Sequence, residues 1–334
     1  MVTIKEIADR LGVSISTVSK GLNGASDISD ELKQIVLDTA VEMGYSTKRS
    51  RSEKYRKVAI FVENMEYNDI DDFGYDIVLG FKQNAFRQKF EVDVIPVTPA
   101  LQQQERYDTY LLKNQYCGAF LIGFALHDEW MKQLETTTMP TVLLDNFIPE
   151  NPTVGYVGTD SNEGIDMAVK YLHNLGHTNI AFLNGSLHSK VSDDRQTAFE
   201  NSMKKCGLVP QKNLMAHGFY VADSAKYHVP GFLSNGATAI ICGNDLIASG
   251  VINECKMRGF RIPEDISVIG FDDIPIASTT EPTLSTIRQE RNELGRCALV
   301  ALLSLINHIP ISITLLRPQL IIRDSSGCAP VEKK

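Results

Sequence analysis

The stretch "TIKEIADRLGVSISTVSKGLNG", from Thr3 to Gly24, decides the fold at the start of the chain. Thr3 followed three residues later by Glu6 is a capping-box pattern, which satisfies the exposed amides at a helix start. The apolar residues that follow recur on one helical face: Ile4, Ile7, Ala8 and Leu11. Gly12 then supplies a turn. The pattern therefore predicts a short amphipathic helix that ends at a glycine.

Two further helices follow from the same rules. Ser14 is placed to cap a second helix that ends near Asn23 and Gly24, and Ser29 to cap a third that stops at Gly44. The inward positions of the second helix are Thr17, Val18 and Leu22. Those of the third are Leu32, Ile35, Val36, Thr39, Ala40 and Met43. Three short helices with a glycine turn between the first two predict a helix-turn-helix domain over residues 1–46.

The second helix of such a domain presents its outward face to the major groove of DNA. Here that face carries Ile15, Ser16 and Lys20, with Ser14 and Ser19 placed for phosphates. Lysine donates to guanine O6 and N7, serine is permissive, and isoleucine packs on a thymine methyl group. Spacing alone leaves one alternative open, an ordinary three-helix domain that packs or dimerises.

A basic segment follows the predicted helices. The run "KRSRSEKYRK", Lys48 to Lys57, holds six basic residues and one acidic residue. Such a run is usually a solvated linker, but clustered cations beside a DNA-binding unit gain affinity by releasing counterions from phosphates. We therefore expect residues 47–57 to be a basic hinge. The complete set of expected DNA contacts is Thr3, Ser14, Ile15, Ser16, Thr17, Ser19, Lys20, Asn23, Ser29, Tyr45, Lys48, Arg49, Arg51, Lys54 and Tyr55.

Charge is distributed unevenly along the chain. The 334 residues carry a formal net charge of -8, yet residues 1–57 have ten basic and eight acidic side chains. The acidic excess thus belongs entirely to the rest of the chain, which has no need to touch DNA. The affinity of a protein for DNA of any sequence grows with the number of phosphates that it neutralises. The acidic residues beyond Lys57 therefore limit non-specific DNA binding.

Several classes of protein are disfavoured by what the sequence lacks. No apolar run approaches the roughly 20 residues that span a bilayer, and the N-terminus has no secretory signal pattern. Six scattered cysteines without a Cys-x-x-Cys pair read as reduced thiols. We therefore expect a cytoplasmic protein without a membrane partner.

Metal, cofactor and catalytic signals also fail. His173 and His177 are four residues apart, but Gly176 intervenes and no third ligand is near, so we expect no metal. No Gly-x-Gly-x-x-Gly follows the first core strand, no nucleophile elbow occurs, and we expect no cofactor. A glycosidase using Asp145 and Asp272 would rest on two carboxylates alone. We expect a protein that is not an enzyme.

Beyond Lys57 the hydrophobic period changes. Short apolar runs such as "KVAIFV", "GAFLIG" and "ATAIICG" alternate with segments of helical spacing. Buried strands alternating with helices indicate doubly wound parallel sheets, and their number indicates a two-lobed α/β core. Polar residues follow three of the strands: Asp145, Asn244-Asp245 and Asp272-Asp273. Ligands of such sheets bind at these carboxyl ends.

The N-terminal signature is accompanied by "LGHTNIAFLNG", "SDDRQTAF", "CGNDLIASGV", "PEDISVIGFDDIPIA" and "PTLSTIRQ". Together these motifs resemble the LacI/GalR family over nearly the whole chain. The resemblance implies a homodimeric transcription regulator, a repressor that reads a pseudo-palindromic operator. It also implies a core like periplasmic sugar-binding proteins that closes on a small molecule. We expect one lobe at 58–157 and 287–314, the other at 158–286 and 315–324, the core ending at 328, and a tail at 329–334.

The resemblance further implies which residues contact the effector. Carried over by position, these are Tyr75, Asp145, Arg195, Tyr220, Asn244 and Asp272. Carboxylates and an asparagine suit hydroxyl pairs, arginine offers a planar fork of donors, and tyrosines offer aromatic faces. Two acids argue against a strongly anionic ligand and favour a sugar or polyol. Each residue has an alternative role as a helix cap or an interlobe hydrogen bond.

The hinge departs from the family pattern. Family members join head to core through Pro-Asn and then Ala-Arg-x-Leu, whose leucine wedges into the minor groove. Here the stretch is "YSTKRSRSEKYRK", which lacks the proline and places Lys54 where the leucine belongs. We expect an electrostatic hinge, with Tyr55 as the alternative wedge.

Two other functions remain to be weighed. Within the family, the alternative is a co-repressed or ligand-independent regulator tuned by a protein partner. Outside it, a solute-binding protein of a transporter shares the core but needs export and has no use for a helix-turn-helix. The C-terminal tail "RDSSGCAPVEKK" has no apolar heptads, so we expect a dimer rather than a tetramer.

Overall fold

The computed structural model describes residues 2–45, 56–187 and 189–330. It divides into two compact units. The first comprises residues 1–65, 77–157 and 292–314, and the second 66–76, 158–291 and 315–334. The chain thus returns to the first unit after Arg291, whereas the sequence analysis places that return at residue 287.

Three helices open the first unit: α1 (Ile4–Leu11), α2 (Ile15–Leu22) and α3 (Asp30–Glu42). The Thr3 hydroxyl accepts from the Glu6 amide and the Glu6 carboxylate from the Thr3 amide, which completes the predicted capping box. The Ser14 and Ser29 hydroxyls cap α2 and α3 by accepting from the amides of Thr17 and Leu32. Gly12 has φ +67°, the left-handed conformation that a turn at this position requires. The predicted helix-turn-helix arrangement is confirmed.

Helix α3 differs from its predicted orientation at one residue. Ile35, expected to face inward, is 45% exposed, whereas Leu37 is only 4% exposed. Val36 packs closely on Gly21 of α2, where a Cβ would lie 2.9 Å from the Val36 Cβ. Leu37 belongs, together with Val36, to a hydrophobic cluster that continues into the α/β part of the unit. The expectation for Ile35 is wrong because α3 buries two faces, and Leu37 lies on the second.

A six-stranded sheet forms the α/β part of the first unit. Its strands are β1 (Lys57–Val62), β2 (Glu91–Pro96), β3 (Ala119–Ile122), β4 (Thr141–Leu144), β5 (Val154–Thr159) and β11 (Ile313–Leu316). Their order is β11-β5-β4-β3-β1-β2, and the β1–β2, β1–β3, β3–β4 and β4–β5 pairs are parallel. The associated helices are α4 (Phe73–Arg87), α5 (Pro99–Gln104), α6 (Tyr107–Lys113), α7 (Glu129–Gln133) and α13 (Arg291–Ile306).

The core of this unit is aromatic on one face of the sheet. Trp130 is fully buried, and its ring meets Phe61 edge-on with centroids 5.1 Å apart. The Trp130 indole donates to the Glu105 carbonyl at 2.8 Å, so its polar group is satisfied. On α4, a Cβ at Gly80 would lie 2.1 Å from the Asn292 carbonyl oxygen, so only glycine lets α4 and α13 approach this closely.

The second unit contains another six-stranded sheet. Its strands are β6 (Ile180–Asn184), β7 (Met215–His217), β8 (Ala239–Cys242), β9 (Ser267–Asp272), β10 (Ser285–Arg288) and β12 (Gln319–Ile321). Their order is β12-β10-β9-β8-β6-β7, and β12 alone among these runs antiparallel to its neighbour. The helices are α8 (Ser161–Asn174), α9 (Lys190–Lys205), α10 (Ser224–Ser234), α11 (Asp245–Met257) and α12 (Ile276–Thr279), with a 3₁₀ turn at Lys212–Leu214. The predicted doubly wound fold is confirmed.

His177 lies beyond the end of α8 and is fully buried in the second unit. Its Nδ1 is 2.9 Å from the Thr238 hydroxyl and its Nε2 is 3.0 Å from the Gly327 carbonyl oxygen. The imidazole ring therefore bridges Thr238, directly before β8, and the C-terminal segment at Gly327. Within the three described ranges, no three His, Cys, Asp or Glu side chains gather as a metal site requires. No helix there is long and apolar enough to cross a bilayer.

Candidate functional site

The outward face of α2 is exposed as the sequence predicts. Ile15 is 53% exposed, and Ser16 and Lys20 are also exposed. At the start of the helix the Ser14 hydroxyl accepts from the Thr17 amide at 3.0 Å and lies 2.8 Å from the Thr17 hydroxyl. The helix therefore presents an apolar group, a hydroxyl and a cation to solvent, and each of these groups can contact a base edge in the major groove.

Lys20 has a partner that the sequence analysis missed. Its ammonium group forms an ion pair with the carboxylate of Asp27, in the turn between α2 and α3. Nearby, the Asn23 amide donates to the Ser19 hydroxyl at 3.3 Å, and the Asn23 Oδ1 is buried without a partner in the described part of the chain. No sequence pattern identifies Asp27, because its position depends on how the turn folds back.

The other expected DNA contacts have mixed positions. Thr3 and Ser29 use their hydroxyls as helix caps, and Tyr45 is buried in the hydrophobic cluster of the first unit. Lys48, Arg49, Arg51, Lys54 and Tyr55 lie outside the described residues. Their contacts with DNA stay predictions.

The end of the basic run is held by the first unit. Arg56 donates to the Gln88 carbonyl at 3.0 Å and lies over the Phe90 ring. Lys57 begins β1 and forms an ion pair with Asp93 at 2.7 Å. Of the six cations counted in the sequence, these two already have intramolecular partners.

In the second unit, Arg195 on α9 is almost fully buried. Its guanidinium carbon lies 3.7 Å from the centre of the Phe271 ring, and Nη1 donates to the Gly243 carbonyl at 2.6 Å. A more distant contact joins Nε to the Ser161 hydroxyl at 3.4 Å. Stacking and hydrogen bonding therefore fix the orientation of the guanidinium at the carboxyl ends of β8 and β9.

Asp272 ends strand β9 and is also buried. Its Oδ1 accepts from the Gln289 amide at 2.7 Å, while the Gln289 Oε1 is buried with no partner among the residues described. A buried acceptor without a donor is unfavourable by about 1–3 kcal/mol, so Gln289 needs a donor from elsewhere. Gln289 is not among the residues predicted from the sequence, although its place directly after β10 was the available signal.

Asp245 places a second carboxyl group beside Asp272. It is fully buried, accepts from the Ile274 amide at 2.9 Å and the Thr286 hydroxyl at 2.5 Å, and its pKa is raised well above the ordinary value by burial and by Asp272. This environment disfavours an anionic ligand.

Asn244 and Tyr220 take structural roles in this form of the second unit. The Asn244 Oδ1 caps α11 at the Ile247 amide, and its Nδ2 donates to the Tyr220 carbonyl at 3.2 Å. Tyr220 has φ +57°, and its ring lies where a Cβ on Gly185 would be 1.9 Å from its Cζ atom. The Tyr220 hydroxyl lies 2.8 Å from that of Ser192.

The last two expected effector residues lie apart from this group along the chain. Tyr75 is half-buried in α4, in a segment that Arg291 holds through an ion pair with Asp76 at 2.8 Å. Asp145 follows β4 of the first unit and has φ +53°. The structure therefore brings Arg195, Tyr220, Asn244 and Asp272 to the strand ends of one sheet. Ligand contact by all six expected residues stays a prediction.

The two domains match known protein families. Residues 3–48 match the family model described as bacterial regulatory proteins, lacI family, and residues 169–326 match the periplasmic binding protein-like domain. Together they define a class of protein, a transcription regulator in which a DNA-binding domain is joined to a core of the periplasmic-binding-protein type.

Relatives extend this match over the chain. The repressor CytR of Escherichia coli strain K12 is 27% identical and covers 98% of this chain and 97% of its own length. The repressor PurR of Aliivibrio salmonicida is 26% identical, with 97% and 99% covered. The structure of a regulator CelR–cellobiose complex superposes with TM-score 0.73 at 24% identity, covering 97% of this chain and 100% of that one. The chain belongs to the LacI/GalR family, and its relatives CytR and PurR are transcriptional repressors, which are not enzymes.

Proposed function

We propose that this DNA-binding repressor responds to a small, neutral, polyhydroxylated ligand bound at the carboxyl ends of β8, β9 and β10. Gln289 carries the proposal, because its buried Oε1 needs a donor that the described residues do not supply. A ligand hydroxyl supplies that donor. Other hydroxyls of the same ligand accept from the Arg195 guanidinium and donate to the Asp272 carboxylate.

A carbohydrate fits this donor and acceptor pattern better than an anion does. The pKa of Asp245 is raised first by burial and then by the neighbouring carboxyl group of Asp272, and the same two effects disfavour an anionic ligand. The CelR regulator, which shares the fold, was solved with cellobiose, and this supports a sugar for the present chain. Tyr75 and Asp145 complete the proposed effector contacts, with the aromatic ring lying on the sugar face.

The DNA side of the proposal follows from α2. We infer that two copies of the chain, acting in the cytoplasm as a homodimer, read a pseudo-palindromic operator with Ile15, Ser16 and Lys20 of each α2. A lac repressor dimer bound to operator has the same fold, at 23% identity and TM-score 0.70, and supports this arrangement. The basic residues 48–54 add phosphate contacts on each side of the operator centre.

A ligand screen tests the effector site. Thermal unfolding is measured with a panel of sugars, polyols and nucleosides, and the compound that raises the midpoint is carried into operator-binding assays. Gln289→Leu and Arg195→Ala should each weaken its affinity about 5- to 150-fold, because each leaves a ligand group without its partner. Ligand-free operator binding should persist in both variants.

Gln211→Leu is the matched control, because Gln211 is an exposed glutamine of the same unit. It should retain wild-type ligand affinity. Unchanged affinity in both Gln289→Leu and Arg195→Ala would show that the effector binds elsewhere. The effect of the ligand on operator affinity then assigns the response, with release indicating induction and tightening indicating co-repression.

A further inference from the structure

Asp27 places a carboxylate beside the helix face that we expect to meet DNA. It lies in the turn after α2, and its carboxylate is ion-paired with the Lys20 ammonium on the outward face of that helix. Both side chains are about half exposed, 44% for Lys20 and 56% for Asp27. The pairing with Lys20 lowers the pKa of Asp27, so the carboxylate is charged at neutral pH.

Stability does not explain this pair. Exposed ion pairs contribute about 0–1 kcal/mol, since water and salt screen both charges. The main effect of the ion pair is therefore on geometry. It holds one hydrogen-bond donor, the Lys20 ammonium, and one acceptor, the Asp27 carboxylate, side by side on the surface expected to meet DNA. A lone carboxylate on that surface repels the phosphates of every sequence equally.

The edge of a base pair offers the complementary pattern. In the major groove guanine presents the O6 and N7 acceptors, and its paired cytosine presents the N4 amine as a donor. The guanine O6 and the cytosine N4 are hydrogen-bonded to each other, as the Lys20 ammonium is to the Asp27 carboxylate. The side-chain pair and the base pair can therefore meet edge to edge, with each donor facing an acceptor.

We propose that Asp27 is a specificity-determining residue that reads one G·C base pair of each half-site together with Lys20. Lys20 donates to guanine, and Asp27 accepts from the N4 amine of the paired cytosine. At the reversed C·G pair each donor would face a donor, and at a T·A pair thymine offers the Lys20 ammonium one acceptor, O4, where guanine offers two, O6 and N7. The inference rests on the reading role of Lys20 proposed above.

A mutant cycle on the intact protein tests this. Binding-site selection from randomised duplexes is performed with the wild type, Lys20→Ala, Asp27→Ala and the double variant. Both single variants should lose about tenfold or more of the preference for G·C at one position per half-site. The double variant should lose no more than either single variant, because one pair makes the contact. Asp27→Ala should also bind a random duplex several-fold more tightly than the wild type.

Asp30→Ala is the matched control. Asp30 is likewise exposed and paired with a lysine, Lys33, at 2.8 Å, but it lies at the start of α3. It should keep the G·C preference. If Lys20→Ala loses the preference and Asp27→Ala keeps it, the role of Asp27 is wrong while that of Lys20 stands. If Lys20→Ala keeps it, the reading role of Lys20 fails, and the inference fails with it.

Discussion

Glu63 follows strand β1 with a carboxyl group that is almost fully buried in the first unit. Burial raises its pKa to about 7, and the carboxyl group of Asp128 contributes in the same direction. The Gln102 amide donates to the Glu63 carboxyl oxygen at 2.5 Å, which opposes the shift. Near neutral pH the folded unit therefore holds a proton on this pair that an unfolded chain would release.

The sign of the resulting pH dependence follows from proton linkage. Because the pKa of Glu63 is higher in the folded state than its ordinary value of 4.5, the free energy of unfolding should fall as the pH rises from about 4.5 through 7. Glu63→Gln should remove this slope, leaving the variant more stable than the wild type at pH 8. Urea unfolding between pH 5 and 8 measures it.

The control for this experiment is Glu91→Gln, which changes an exposed glutamate at the start of β2. It should keep the wild-type slope. A Glu63→Gln variant with the wild-type slope would contradict the assignment of the proton to this carboxyl pair.

The site residues fall into two groups, those whose position follows from neighbours in the sequence and those whose role depends on residues distant in the sequence. Asp145, Asn244 and Asp272 were predictable, because a polar residue directly after an apolar run lies at a strand end whatever the strand packs against. Gln289 and Asp27 were not identified, because their roles depend on neighbours that only the folded chain supplies, Asp272 and Lys20 respectively. The helix-cap role of Asn244 was an alternative that the sequence left open.

Among the secondary-structure elements, helix α3 shows that hydrophobic periodicity can identify one buried face of a helix and leave a second face unidentified. The sequence pattern identifies one buried stripe, and the structure confirms it at Val36, Thr39 and Ala40. A second stripe faces α6, where the Thr109 hydroxyl donates to the Asp38 carboxylate at 3.2 Å. A single-helix pattern cannot show this partner, because α6 lies some seventy residues further along the chain. The alternation of strands and helices was predictable because central strands such as β3, β4, β8 and β9 are buried along their whole length.

Two substitutions on α3 separate these faces. Leu37→Ala should lower the free energy of unfolding by about 2–5 kcal/mol, because it leaves a cavity beneath a buried side chain. Ile35→Ala, two residues earlier in the same helix, should change it by less than about 1 kcal/mol, because Ile35 is 45% exposed. Denaturant unfolding of both variants measures the difference. Equal losses would show that the second face of α3 is not buried in solution.

In the molecule as a whole, the net positive charge lies in residues 1–57, which include the region expected to meet DNA. The structure reduces the number of cations that are free to contact phosphates, because Arg56 and Lys57 already have partners in the first unit. The remaining cations of the basic run are Lys48, Arg49, Arg51 and Lys54. Each phosphate that they neutralise adds about 0.9 to the dependence of log K on log salt.

We expect the joint change Arg49→Gln and Arg51→Gln to reduce the salt dependence of operator binding by about 0.9 for each phosphate that is no longer neutralised. Lys57→Gln is the control, because the Lys57 ammonium is paired with Asp93 at 2.7 Å. It should leave the salt dependence unchanged. Titrations at several salt concentrations measure both.

DNA bending distinguishes the two hinge mechanisms. An electrostatic hinge should bend the operator weakly, because unstacking a base step takes a few kcal/mol that no apolar wedge offsets. A strong kink that disappears in Tyr55→Ala would contradict the electrostatic hinge and assign the wedge to Tyr55.

The division of the chain between its units has a consequence for synthesis on the ribosome. The first unit needs residues 292–314, which include most of α13, and α13 packs against Gly80 of α4. Translation reaches these residues only after the whole second unit up to Arg291 has been made. Until then the first sheet lacks its edge strand β11 and one covering helix. A chain released early therefore has its DNA-binding domain but an incomplete first unit. Only nearly complete translation yields a competent repressor.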